Sequence, residues 1–181
     1  DVELTDRLCE AVLLTIVNEA PKVMEDPNNY EARANIMWAG TIAHNNVIGV
    51  GREQDWASHD MEHELSALYD VAHGAGLAVM MPAWMEYVVE HDVMRFAQVA
   101  VRVWGCQMDY NNPEKTAREG IQRFRQFLQS IGMPTSFQEL GAKEEDIPVF
   151  IEKLGLGEET LGSFVKLTNK DIEAIYQLAC R

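Results

Sequence analysis

The stretch DWASHDMEHELSALYDVAHGAGLAVMMPAW, residues 55–84, decides the fold prediction. Its first part places apolar side chains at helical intervals, and Ser58 or Asp60 is suited to cap the start of that helix. From Ala75 to Val89 the residues are almost continuously apolar on all sides, which predicts a helix buried inside the protein. Pro82 should bend this second helix or begin a new turn. We expect the first helix to direct three side chains toward the core: Leu65, Leu68 and Tyr69.

A helical hairpin is predicted before this stretch. Its first helix carries apolar residues four apart, which place one stripe along the helix: Leu4, Leu8, Val12, Ile16 and Ala20. Asp1 or Thr5 is suited to cap its start. After the break at residues 26–29, Asn28 and Glu31 resemble a capping box for a second helix that ends near His44.

Further helices are predicted after the central stretch, over residues 92–104 and 113–131. The second of these begins with proline in its first turn and ends at Gly132. The pairs Ser136 with Glu139 and Thr168 with Asp171 repeat the capping signature before two more helices. The charged run at residues 143–146 is predicted to begin a helix. No segment alternates as a strand does, so we predict an all-α fold, with residues 1–181 forming a single multi-helix domain.

Composition excludes several classes of function. The formal net charge of −14 is unfavourable for binding a phosphate backbone, so we do not expect a nucleic-acid partner. No uninterrupted apolar run of about 18 residues is present, so we expect no membrane span. Cys9, Cys106 and Cys180 are odd in number and widely spaced, which favours a reducing compartment. The predicted location is the cytoplasm.

Three of the five histidines fall within fifteen residues, at His59, His63 and His73. His59 and His63 are four apart, so a helix would place them on the same face. In one unbroken helix, His59 and His73 would be about 21 Å apart, too far to share an ion. The chain must therefore turn near residue 70 if both bind one metal, and His73-Gly74 is suited to that reversal.

Histidines in this pattern predict an incomplete metal site. Zn²⁺ favours about four ligands, and Fe²⁺ also accepts imidazole with carboxylate, so two or three histidines leave the ligand set open. The remaining ligands are either Asp55, Asp60 or Asp70, or groups on protein that this chain does not contain. Clustered histidines are also found as surface residues or hydrogen-bonded core residues, and the residue pattern alone leaves that interpretation open.

Two stretches carry a family resemblance: NYEARANIMWAG at residues 29–40 and the opening stretch at residues 55–84. They resemble the helical C-terminal half of the iron-containing (group III) alcohol dehydrogenases, in the butanol-dehydrogenase-like, NADPH-dependent branch. Trp104-Gly105 and residues 118–124 are similar too, so the resemblance covers most of the chain. It implies the helical C-terminal domain of the dehydroquinate synthase-like fold.

The resemblance implies roles for the three histidines. The first and last of the H-x3-H-x9-H-G pattern ligate the family's metal, and they correspond to His59 and His73. The middle one, His63, would lie near the nicotinamide and substrate, where it orients groups or relays protons. The metal would be Fe²⁺ or Zn²⁺, and the substrate a small alcohol or aldehyde.

The resemblance also implies that this chain is one part of a larger enzyme. The family's other two metal ligands and its nucleotide-binding domain precede the segment that this chain resembles. NADP(H) would therefore be bound mainly by that N-terminal domain, and we expect no turnover from the isolated chain. The glycines at residues 49–51 follow no predicted strand, so we interpret them as an ordinary loop. A homodimer is suggested by the resemblance alone.

Other interpretations remain open at the level of sequence. The chain could be a free-standing helical module that binds metal or a protein without catalysis. A carboxylate-bridged di-metal bundle is disfavoured, because no Glu-x-x-His pair is present. Among the tryptophans, Trp56 is the one that we expect near a substrate opening, while Trp38, Trp84 and Trp104 are predicted to be core. His44 and His91 are interpreted as structural or surface residues.

Overall fold

The computed structural model describes residues 2–181, and its regular structure in that range is helical. The one exception is an isolated antiparallel bridge between Leu161 and Leu167. The helices are α1 (Glu3–Glu25), α2 (Tyr30–His44), α3 (Ala57–Tyr69), α4 (His73–Val88), α5 (Val93–Arg102), α6 (Pro113–Ser130), α7 (Phe137–Leu140), α8 (Ile147–Leu154) and α9 (Asn169–Ala179). Short 3₁₀ turns cover Val47–Gly49, Val89–His91 and Glu144–Asp146. The all-α prediction is confirmed.

Within residues 2–181, no helix combines the length and the apolar character that crossing a bilayer requires.

Several helix ends follow the predicted capping signals. Asn112 accepts the Lys115 backbone N–H, with Pro113 as the first helical residue of α6. Thr168 and Asp171 form a reciprocal capping box at the start of α9. These short-range hydrogen bonds depend on local sequence alone, which explains why they could be predicted.

Other helix starts differ from the prediction. The cap of α2 is Asn29, one residue later than expected, and its side chain accepts the Ala32 backbone N–H. Neither Ser58 nor Asp60 caps α3. Its first backbone N–H, that of Ala57, donates instead to Asp55 from outside the helix. At α1 the residue before the helix is Val2, which offers no side-chain cap, and Asp1 lies outside the described residues.

Helix α4 lies at the centre of the core and contacts α3, α6 and α9. The predicted burial of α4 is confirmed by Met80, which is fully buried. Pro82 lies inside α4, so no new helix begins there. From α3, Leu65 is fully buried, whereas Leu68 is 40% exposed, so the expectation for Leu68 was wrong. The Tyr176 hydroxyl of α9 donates to the Met61 carbonyl at 2.8 Å and links α9 to α3. Packing in the core therefore fixes the position of α3 relative to α4.

The hairpin of α1 and α2 forms where it was predicted, but the apolar stripe predicted for α1 is not buried. Leu4 is 75% exposed and Trp38 is 64% exposed, so the prediction that Trp38 belongs to the core was wrong. The buried residues of α1 are instead polar: Thr5, Asp6 and Glu10. Periodicity identified the helix but not the face that contacts the rest of the protein.

Asp6 connects the hairpin to the remaining structure. Its carboxylate accepts hydrogen bonds from Arg52 at 2.6 Å, from both terminal nitrogens of Arg95 and from Gln98 at 3.2 Å. The hydrogen bonds from Arg95 are the main reason that the pKa of Asp6 lies well below its usual range. One carboxylate thus joins α1, the loop before α3 and α5.

We expect Asp6→Ala to lower the free energy of unfolding by about 2 kcal/mol at pH 7, because it leaves two guanidinium groups without their acceptor. The folded-state pKa of Asp6 is depressed, so its contribution is present above the ordinary aspartate pKa of about 4 and is lost as the pH falls below it. The difference between wild type and variant in urea unfolding should therefore shrink at low pH.

The matched control for this prediction is Glu3→Gln, which removes an exposed carboxylate from the same helix. Its effect should stay below about 1 kcal/mol. Equal effects of the two substitutions would show that Asp6 does not connect the hairpin in the way described.

Candidate metal and substrate site

A tight reversal between α3 and α4 builds the site. Asp70 adopts the left-handed conformation, with φ 52° and ψ 37°, and its backbone N–H donates to the Ser66 carbonyl at 3.0 Å. Two residues later Ala72 is extended, and α4 begins at His73. The predicted turn near residue 70 is confirmed, but it uses Asp70, an aspartate that tolerates positive φ. Gly74, expected at the reversal, lies inside α4.

This reversal brings the three predicted histidines together. His59 and His63 lie one turn apart on α3, and His73 is the first residue of α4. The ring centroids of His59 and His73 are 5.3 Å apart, and those of His63 and His73 are also 5.3 Å apart. Three imidazoles therefore share one small region, as a common ion would require.

The ring nitrogens of these histidines differ in their surroundings. His59 Nδ1 is buried and has no hydrogen-bond partner among residues 2–181. Burial lowers the pKa of His59, and the His73 and His63 imidazoles lower it further. A buried ring nitrogen without a partner is costly, and a bound cation or substrate would offset that cost. His63 and His73 are partly open to solvent.

Glu62 is the candidate site residue that sequence reasoning missed. Its side chain is fully buried, and its two carboxylate oxygens contact the Ser66 hydroxyl and His73 Nδ1. Glu62 and His63 lack the Glu-x-x-His spacing of a di-metal bundle, so their sequence pattern did not single out Glu62. A glycine at position 76 in an otherwise apolar helix was the available signal, because helix interiors disfavour glycine unless something packs closely.

The combination of donors suits a divalent cation. Among residues 2–181, ligand atoms of Glu62, His63 and His73 lie within 4.8 Å of one another, and His59 stands beside them. Imidazole with carboxylate is a donor set that both iron and zinc accept. The residues present therefore fit a metal site of this kind.

The three aspartates considered as further ligands are placed differently. Asp55 uses both oxygens for backbone N–H groups: Oδ1 accepts from Ala57 at 2.9 Å, and Oδ2 accepts from Ser163 and Phe164 at 2.7 Å each. Asp70 occupies the left-handed turn. Asp60 lies on the first turn of α3, outside the close group of Glu62, His63 and His73. This arrangement favours a structural role for Asp55.

A cleft of about 1140 Å³ lies beside the histidines. Its apolar lining includes Met81, Trp84, Phe96 and Phe164, so Trp84, predicted as core, contributes to the cleft wall. Trp56 also lines it and meets His59 edge to face, with ring centroids 5.0 Å apart. His44 is a further lining residue, whereas His91 packs on Phe164. The cleft offers an apolar space next to the cluster.

The family model for the C-terminal part of the Fe-containing alcohol dehydrogenase family matches residues 1–180. The chain belongs to this family. NADH-dependent butanol dehydrogenase A of Clostridium acetobutylicum is 36% identical over 174 residues, covering 95% of this chain and 44% of that protein. NADPH-dependent aldehyde reductase YqhD of Escherichia coli is 35% identical over 154 residues, covering 85% of this chain and 39% of the reductase.

Solved structures of the family share the fold. The NADH-dependent butanol dehydrogenase A of Thermotoga maritima superposes with a TM-score of 0.93 at 36% identity, covering 99% of this chain and 46% of that one. The present chain therefore spans less than half the length of these relatives. The relatives are named for different nucleotides, NADH and NADPH, so the nucleotide stays a prediction.

Asp55 provides a test of how the cleft wall is held. Asp55→Ala should remove the acceptor for Ser163 and Phe164 and speed hydrogen exchange of their amides, because the 161–165 segment loses its anchor. We expect the free energy of unfolding to fall by about 2 kcal/mol. The neighbouring, exposed Glu53→Gln is the control and should change neither quantity. Unchanged exchange at residues 163 and 164 in the Asp55 variant would contradict the assignment.

Proposed function

We propose that this chain is the metal-binding helical part of an NAD(P)H-dependent alcohol dehydrogenase or aldehyde reductase. The observation that carries the proposal is the gathering of His59, His63 and His73 on one wall of an apolar cleft. Family membership supports it, since the relatives include butanol dehydrogenases and an aldehyde reductase. The substrate class is then a small alcohol or aldehyde.

His59 and His73 are the proposed metal ligands, and Fe²⁺ or Zn²⁺ is the proposed ion. The unpaired, buried nitrogen of His59 and the Glu62 contact of His73 support these roles. When bound, the ion supplies Lewis-acid polarisation of the substrate oxygen during hydride exchange with the nicotinamide. The apolar side chains Met81, Trp84 and Phe164 exclude water from the substrate's carbon chain.

His63 is the proposed proton-relaying and orienting residue. Its imidazole lies within one turn of His59 and 5.3 Å, centroid to centroid, from His73, and it is open to solvent. An exposed imidazole beside the substrate oxygen would exchange protons between that oxygen and water. This role needs no direct bond from His63 to the ion.

The remaining parts of the proposed enzyme lie outside these 181 residues. The chain covers 44% of the Clostridium relative, which leaves room for a nucleotide-binding domain that holds NADP(H) and supplies further metal ligands. We propose that residues 1–181 act as one helical domain and are inactive without that partner. The cytoplasmic location and a homodimer stay predictions.

Metal binding tests the ligand assignment. Calorimetry with Zn²⁺, and anaerobically with Fe²⁺, should show weak binding to the 181-residue chain. His59→Ala and His73→Ala should each lower the affinity by more than about tenfold, whereas His63→Ala should leave most of it. The control is His91→Ala, an exposed histidine outside the cluster. Tight binding by the chain alone, or binding indifferent to His59 and His73, would favour a free-standing helical module instead.

Activity is best tested in a chimera. We would substitute this chain for the matching 46% of the Thermotoga butanol dehydrogenase, whose own nucleotide-binding region is retained. The chimera should oxidise butanol in a metal-dependent way, and His63→Ala should lower kcat while the metal content is kept. A chimera that binds nucleotide and metal without any turnover would contradict the proposed function.

A further inference from the structure

We propose that Glu62 is a positioning residue for His73. It holds the imidazole with Nδ1 as the nitrogen that carries hydrogen, and it leaves Nε2 as the free ligand atom. The inference rests on the proposed function, because it assigns a partner to one of the proposed metal ligands. Glu62 itself acts through His73 and does not touch the substrate.

The burial of Glu62 requires an explanation. Its carboxylate is fully buried in a helix that contributes apolar side chains such as Met61 and Leu65 to the core. A buried carboxylate is destabilising unless hydrogen bonds and opposite charge compensate it. Within residues 2–181, its hydrogen-bonding partners are the Ser66 hydroxyl and His73 Nδ1. One of these two partners is a side chain of the proposed site.

The contact decides which nitrogen of His73 is available. A neutral imidazole carries one N–H, and a carboxylate can only accept, so contact with Glu62 places the hydrogen on Nδ1. Nε2 then keeps its lone pair, which is the form that binds a metal ion. Metal-ligating histidines commonly donate their other N–H to a carboxylate in this way.

Glu62 also links the two helices that carry the histidines. It belongs to α3, and His73 begins α4 after a connection of three residues, Asp70 to Ala72. The Ser66 hydroxyl holds the other carboxylate oxygen from the next turn of α3. The carboxylate therefore orients the His73 ring relative to His59 and His63, which lie on α3.

Gly76 supplies the space that this arrangement needs. A Cβ at position 76 would lie 2.2 Å from Glu62 Oε1, 2.7 Å from Cγ and 2.8 Å from Cδ. Among residues 2–181, apart from its chain neighbours and the backbone of its own helix, no heavy atom lies within 4 Å of a Cβ at Gly74, in the same turn of the same helix. The two glycines thus form a matched pair: alanine at 76 must displace the carboxylate, whereas alanine at 74 meets open space.

The first measurement needs no metal and no variant that alters the carboxylate. Long-range ¹H–¹⁵N NMR of the metal-free wild-type chain at pH 8 reports which imidazole nitrogen carries hydrogen, and the loss of signals in His73→Ala assigns the ring. We expect His73 to be protonated at Nδ1. Protonation at Nε2 instead would overturn the inference, since Glu62 would then contact a nitrogen that carries no hydrogen.

The second measurement is Zn²⁺ affinity. Glu62→Gln and Gly76→Ala should each weaken Zn²⁺ binding by about 10–100-fold, and Glu62→Ala should also raise the Nε2-protonated fraction of His73. Glu64→Gln, on the same helix, and Gly74→Ala should match the wild type. Circular dichroism checks that each variant is folded.

The outcomes separate this inference from the proposed function. If His59→Ala weakens Zn²⁺ binding but a folded Glu62→Gln variant binds as the wild type does, the positioning role is wrong and the metal site stands. If Glu62→Ala abolishes binding without changing the His73 tautomer, Glu62 is a direct ligand and the positioning role is again wrong. If neither His59→Ala nor His73→Ala affects Zn²⁺, the proposed function fails, and the positioning role fails with it because no ligand is left to position.

Discussion

The left-handed turn at Asp70 is the constraint on which the site depends. It ends α3 and lets α4 return beside it, and without this reversal His59 and His73 would be about 21 Å apart. Packing in the core stabilises this reversal, because Leu65 of α3 and Met80 of α4 are fully buried. The Tyr176 hydroxyl of α9 also donates a hydrogen bond to the Met61 carbonyl of α3. The histidines are thus carried by two helices whose relation is set by apolar packing.

Hydrogen bonds to three carboxylates connect further parts of the protein. Asp6 ties the α1–α2 hairpin to α5 and to the loop before α3, and Asp55 anchors the 161–165 segment that carries Phe164 to the cleft. Glu62 makes the third connection, between α3 and His73. In each case one carboxylate joins elements that are distant in sequence or separated by a turn. Each of the three carboxylates either lines the cleft or contacts a residue that lines it.

Local patterns predicted the elements better than their faces. The caps at Asn112 and Thr168 and the apolar run of α4 depend on near neighbours in the chain, so they could be predicted from sequence. The stripe of α1 and the position of Trp38 could not, because which face of a helix becomes buried depends on what packs against it. The same reason hid Glu62: a glutamate in a helix is ordinarily solvated, and Glu62 is buried where α3 packs against α4, with Gly76 beside its carboxylate.

The sequence by itself determined that this protein is all-helical and that it resembles the family to which it belongs, and it singled out His59, His63 and His73 as candidate site residues. These conclusions depend on residue type and short-range spacing. Only the tertiary structure decided that Asp70 makes the reversal, that Asp55 is engaged by backbone N–H groups, and that His73 meets a buried carboxylate. Such contacts arise when separate helices pack together, and no periodicity within one segment of the chain encodes them.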